Sequence, residues 1–105
     1  MSNVLELATY RLRAGVTEEQ YLAASDSLMT WAKVQPGFIS RDLVRHEDKW
    51  IDVVWWADRA AAEQALEAAG RAPEAEPFFA AVDMDAFEWV IAEQAADQVV
   101  AGATV

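Results

Sequence analysis

The stretch WIDVVWWAD, residues 50 to 58, sets three tryptophans around a carboxylate. Alternate side chains of a strand share a face, so Trp50, Asp52, Val54 and Trp56 point one way and Ile51, Val53 and Trp55 the other. A carboxylate held among aromatic neighbours on a covered face loses hydration, which raises its pKa and suits it to accept a proton near neutral pH. Asp52 is therefore a candidate catalytic base, its alternative being an ion pair with Arg41 or Arg45 across the hairpin. His46 is the single histidine and stands at the turn before this strand. It is the second catalytic candidate, because an unperturbed imidazole suits proton transfer from a phenol; the alternative is simple solvent exposure. Trp56 and, nearer the rim, Trp50 are candidates to hold a flat apolar ligand or to fill an interface. Tyr10 and Glu6 are candidates to add polar contacts to the same cavity, or to pair across strands, and Glu88 carries the same ambiguity.

Other chemistries find no residues. Without cysteine there is no thiolate nucleophile, disulfide or cysteine metal site, and one histidine among unclustered carboxylates gives poor prospects for a transition metal. No Ser-His-Asp arrangement, glycine-rich phosphate loop or HExxH motif is present. No cofactor and no metal are expected.

The elements that must position these residues follow from pattern. VLELATYRL predicts a strand over 4–12, ended by Ala14-Gly15. Thr17 and Gln20 have capping-box spacing, and a helix is expected from about Glu18 to Lys33, with Tyr21, Leu22, Leu28, Met29 and Ala32 on its inner stripe and Pro36-Gly37 stopping it. Phe38 to Arg45 is a second strand, turning through His46 to Lys49 into the tryptophan strand. Asp58 is the expected N-cap of a helix closed by Gly70, whose inner face is Ala61, Ala62, Ala65, Leu66 and Ala69. A face that small calls for bulk opposite, which Ile51, Val53 and Trp55 offer, so Trp55 is expected in the core. Phe78-Phe79 falls in a short helical turn, and AFEWVIAE is the last strand, with Phe87, Trp89 and Ile91 alternating against Glu88 and Val90.

The order β-α-β-β-α-β predicts an α+β, ferredoxin-like domain over residues 1–93, a four-stranded antiparallel sheet with both helices on one face, followed by a tail over 94–105. The other face, expected to carry Trp50, Val54 and Trp56, has no cover within the chain; a homodimer joined sheet to sheet would supply one. Eighteen acidic against eight basic side chains give a formal charge of −10, which argues against nucleic acid and anionic membrane as partners. No apolar run approaches the ~18 residues of a membrane span, and MSNVLELATYRL lacks signal-peptide order, so a cytoplasmic location is expected.

Three motifs carry a resemblance: the first strand followed by Gly15 and an acidic helix start, PGFISRDLVR after that helix, and VVWWADRAAAEQA. Over about residues 4 to 92 the chain resembles the dimeric α+β barrel superfamily and, within it, the antibiotic-biosynthesis-monooxygenase-like proteins. That resemblance implies a barrel formed by two copies, with a small apolar or aromatic ligand bound in each. Members include cofactor-independent oxygenases of aromatic polyketides, heme-degrading enzymes and isomerases. Trp56 falls on a pocket position of the family. Where heme-degrading members have an asparagine on strand one and a histidine on helix two, this chain has Ala8 and Leu66 or a neighbour, which argues against heme. The implied function is a cofactor-independent monooxygenase or isomerase acting on a small aromatic or polyketide-like substrate; the alternative is a non-catalytic small-molecule-binding or stress-associated barrel.

Overall fold

The computed structural model describes residues 3–98, which form β1 (Val4–Tyr10), α1 (Glu18–Ala32), β2 (Phe38–His46), β3 (Lys49–Trp56), α2 (Arg59–Ala69), α3 (Glu76–Ala81) and β4 (Glu88–Glu93). Single 3-10 turns at Pro73–Ala75 and Met84–Ala86 flank α3. The strands make one antiparallel sheet in the order β2-β3-β1-β4, and the helices lie on one of its faces, as the element order predicts. Of the tail expected over 94–105, the part beyond residue 98 lies outside the described residues.

The helix starts follow from their capping residues. Thr17 accepts from the amide of Gln20 while the Gln20 side chain accepts from the amide of Thr17, and Asp58 accepts from the amide of Ala61 at 2.8 Å. These bonds satisfy amide groups that the first turn leaves without partners. The chain leaves α1 through Gly37, whose φ of +82° an L side chain rarely adopts. A Cβ there would stand 2.6 Å from the Cβ of Ala61, so the glycine also lets α2 approach the start of β2. The β2–β3 turn is tighter than the four residues expected: His46 and Lys49 already pair, leaving Glu47 and Asp48, with Glu47 at φ 57°.

Two expectations are reversed. The face of β3 under the helices is Trp50, Asp52, Val54 and Trp56, all buried, whereas Ile51, Val53 and Trp55 are half-buried on the open face. The volume argument applies to the other set: Trp56 packs with Ala62 and Ala65 of α2, and Trp50 packs with Tyr21 of α1. The carboxylate of this row is accommodated because Arg41 of β2 lies on that same face and accompanies Asp52 into the core. In α1 the inner stripe turns toward Tyr21, Ala24, Ser25 and Ala32, leaving Leu22 at 42% exposure. The register of β1 assigns Glu6, Ala8 and Tyr10 to the helix side and Leu5, Leu7 and Thr9 to the open side.

Candidate functional site

The core has two centres. One gathers Tyr10, Tyr21, Trp50 and Phe78 near the β2–β3 turn, and the other gathers Val4, Val54, Trp56, Ala62 and Ala65 at the opposite end of the strands. Between them, under the helices, the structure leaves a cavity of about 320 Å³, at the lower end of the size range of small-molecule sites. The sheet supplies Glu6, Ala8, Asp52, Val54 and Trp56 to its wall. The α1 helix adds Leu28, Trp31 and Ala32, α2 adds Ala65, Leu66 and Ala69, and Phe78, Phe79 and Phe87 close the remaining side. The cavity opens where its exposed apolar lining lies: Leu66, Met84 and Trp89 are 39%, 46% and 37% exposed. It is a space bounded by sheet and helices of one chain, not by the sheet faces of two.

Polar groups in the wall are few and organised. Arg41 grips Asp52 with both arms, Nε to Oδ1 at 2.6 Å and Nη2 to Oδ2 at 2.9 Å, and its Nη1 donates to Ser25 Oγ of α1 at 2.8 Å. The two side chains are 6% and 8% exposed. Burial alone would lower the proton affinity of the guanidinium, but the hydrogen bonds and charge of Asp52 outweigh it, and the net direction is upward. Tyr10 donates to Asp52 Oδ2 at 3.2 Å and its hydroxyl meets that of Tyr21. Burial, with Asp52 nearby, pushes both phenols up, Tyr21 to about 12, so both are neutral donors. Arg41, Asp52, Ser25 and the tyrosines thus join α1 to β1, β2 and β3 through a satisfied network.

Glu6 has different partners. Its Oε1 accepts from the indole nitrogen of Trp56 at 2.9 Å and its Oε2 from that of Trp89 at 2.8 Å. Burial raises its pKa above 4.5; the two indole bonds oppose that rise, and the charge of Asp52 adds to it.

The structure therefore brings Glu6, Asp52 and Trp56 to one cavity. Tyr10 sits behind the wall, bonded to Asp52, and Trp50 is buried beside Tyr21, its ring 5.6 Å from the Arg45 guanidinium. His46 is at the end of β2 with a side chain 78% exposed, and it is not among the lining residues. Glu88 faces the open side of the sheet with Thr9. Sequence reasoning names Arg41 only as a partner of Asp52 and does not find Trp89. The alternation of Phe87, Trp89 and Ile91 is visible, but the β1–β4 register that sets Trp89 opposite Ala8, diagonal to Glu6, is not.

No family model and no curated protein matches the sequence. Solved structures do match in fold. A variant of SnoaB, a cofactor-independent oxygenase from Streptomyces nogalater, superposes with a TM-score of 0.74 at 18% identity, over 96% of this chain and 99% of that one. The ActVA-Orf6 monooxygenase of Streptomyces coelicolor, in complex with the ligand nanaomycin D, gives 0.69 at 15% identity over 95% and 94%. A conserved protein from Methanosarcina mazei gives 0.68 at 14% identity over 88% and 92%. The chain has the fold of the antibiotic-biosynthesis-monooxygenase-like proteins.

Proposed function

We propose that the protein is a cofactor-independent monooxygenase that takes a small, flat, aromatic or polyketide-like substrate into the cavity between its sheet and helices. The observation that carries this reading is the composition of the wall: aromatic and aliphatic side chains nearly throughout, broken by one ion pair and one carboxyl. Such a site holds an apolar ring, excludes water and orients an acidic hydrogen, as small-molecule sites with few placed polar groups do. The fold neighbours that are named as oxygenases support the reaction class.

The substrate must supply the electrons. Loss of a proton from an activated methylene gives an electron-rich anion that reduces dioxygen and then bonds to it, forming a peroxide. Loss of water from the hydroperoxide leaves a carbonyl. The net change is CH2 + O2 → C=O + H2O, a four-electron oxidation of carbon matched by four-electron reduction of dioxygen. Asp52, first named as the base, is read here as a positioning group, because both of its oxygens are engaged by Arg41. Trp56 forms a wall against which the anion rests. The open sheet face supports pairing with a second copy of the chain.

Anthrone, a tricycle with an acidic methylene, is a suitable probe. Under air the protein should consume one dioxygen per anthrone and yield anthraquinone, saturably and above the rate in buffer. Tryptophan quenching that shows anthrone bound, with no oxygen uptake above buffer, would replace this reading with that of a non-catalytic binding protein.

A further inference from the structure

Among the described residues three titratable side chains reach the cavity: Glu6, Arg41 and Asp52. Arg41 and Asp52 neutralise one another through two hydrogen bonds. Glu6 is left as the carboxyl without a cation, since among the described residues no arginine, lysine or histidine nitrogen lies within ion-pair distance of it. Its two donors are neutral indoles, one from β3 inside the cavity and one from β4 at the opening. Each carboxylate oxygen accepts one bond and retains a second acceptor direction.

We propose that Glu6 is the proton acceptor of the cavity: it takes the acidic C–H or O–H proton of a neutral hydroxy-aromatic or anthrone-like substrate and later returns it to the peroxide oxygen. The first half of this step needs no oxygen; the second rests on the oxygenase reading above. In the first half, an O–H or C–H bond of the substrate breaks, a carboxyl O–H bond forms, and the electron pair remains on the substrate. The buried negative charge is moved over a few ångströms and none is created, so the step avoids the cost of making a new ion in an apolar space. In the second half the Glu6 proton passes to the terminal oxygen of the carbon-bound peroxide and the carboxylate is restored.

The other elements around Glu6 do not compete for this role. The faces of α1 and α3 lining the cavity carry no charged side chain, and that of α2 is Ala65, Leu66 and Ala69. Arg41 and Asp52 are committed to each other. Arg59, Glu63 and Glu67 lie outside, in the groove beyond Leu66 and Trp89. A neutral substrate is also what the site selects, because a second anion would meet Glu6 and the chain's net negative charge.

The substrate-free arm of the test follows the indole N–H resonances of Trp56 and Trp89 against pH. They should move together with one midpoint, above the ordinary carboxylate range, and Glu6→Gln should abolish the movement. In the second arm, anthrone in D2O under argon should exchange its methylene hydrogens faster with protein than in buffer, with a rate that rises with pH through the same midpoint. Glu6→Gln should lose ~100-fold or more of this exchange while binding anthrone within about threefold of the parent affinity, the usual scale of a lost general base. Trp89→Phe removes one donor to the carboxylate and should carry both the resonance midpoint and the exchange profile to higher pH, which a purely structural Glu6 would not do. Exchange that survives Glu6→Gln, or an exchange profile that Trp89→Phe leaves in place, overturns the proposal. Exchange without oxygen uptake keeps Glu6 and removes the oxygenase reading, and uptake unaffected by Glu6→Gln does the reverse. Neither exchange nor uptake in the parent removes both.

Discussion

Asp52 and Glu6 stand on one face of the sheet, and their neighbours make them different groups. Asp52 has a cation, and the pair is almost fully buried. Removing either partner leaves the other charged in an apolar space, so Asp52→Asn and Arg41→Met should each cost ~3 to 5 kcal/mol. The double variant should cost less than the sum, because the two act as a unit. Urea denaturation checks this, and strictly additive losses would show that the pair is not coupled. The tyrosines offer a second measurement, since the chain has only Tyr10 and Tyr21 and both belong to the buried network. Their folded proton affinities are raised. Such groups contribute their full stability below the ordinary phenol pKa of 10, and for Tyr21 that contribution is lost as pH climbs toward about 12. Absorbance of tyrosinate at about 295 nm should therefore stay flat above pH ~10 until the fold is lost, and then rise with it. An earlier rise in the folded state would place a phenol in water. The Asp52–Arg41 alternative was legible from cross-strand spacing; the two indoles on Glu6 were not, because they come from strands 33 residues apart in sequence and meet only through β1.

At the scale of elements the sequence is a good guide to what forms and a poor one to which side is covered. Capping residues, the alanine helix and the strand alternation are local signals, and each strand and helix appears close to where they predict it. The choice between the two faces of β3 is not local. It depends on Arg41 arriving from β2 to neutralise Asp52, and on Glu6 meeting Trp56, neither of which alternation reveals. The outcome can be measured directly. Trp56→Ala should cost ~3 to 5 kcal/mol, since it empties a site packed against Ala62 and Ala65 and removes one of the two indole donors to Glu6. Trp55→Ala, made at a concentration low enough to hold the chain monomeric, should cost about 1 kcal/mol or less. Equal losses would contradict the packing described. The junction between α1 and β2 is tested by Gly37→Ala, which must adopt a left-handed φ and drive its Cβ into Ala61. A loss of about 2 kcal/mol or more is expected in denaturant unfolding.

Among the described residues the sheet has one dressed and one bare face. Leu5, Leu7, Ile51, Val53 and Trp55 lie half-buried on the bare side, with Val44 and Val90 47% and 49% exposed at its edges. A largely apolar surface of this kind, flanked on the edge strands by Asp42 and Glu88, is uncommon on a soluble monomer, and two copies meeting there would cover it. Val53→Asp should convert a sedimenting dimer to a monomer of 11.6 kDa, while anthrone still binds, because the cavity lies on the other side of the sheet. A parent chain that sediments as a monomer at micromolar concentration would remove the pairing. On the dressed side, α2 offers methyl groups where the neighbouring space would accept larger chains. Ala65→Leu should accordingly raise Tm by about 4 °C and shut out anthrone, the usual opposition between a filled core and an open site. On the proposed function the alanines of α2 are a negative imprint of the guest, a mould whose shape is recorded in the sequence as carbon left out.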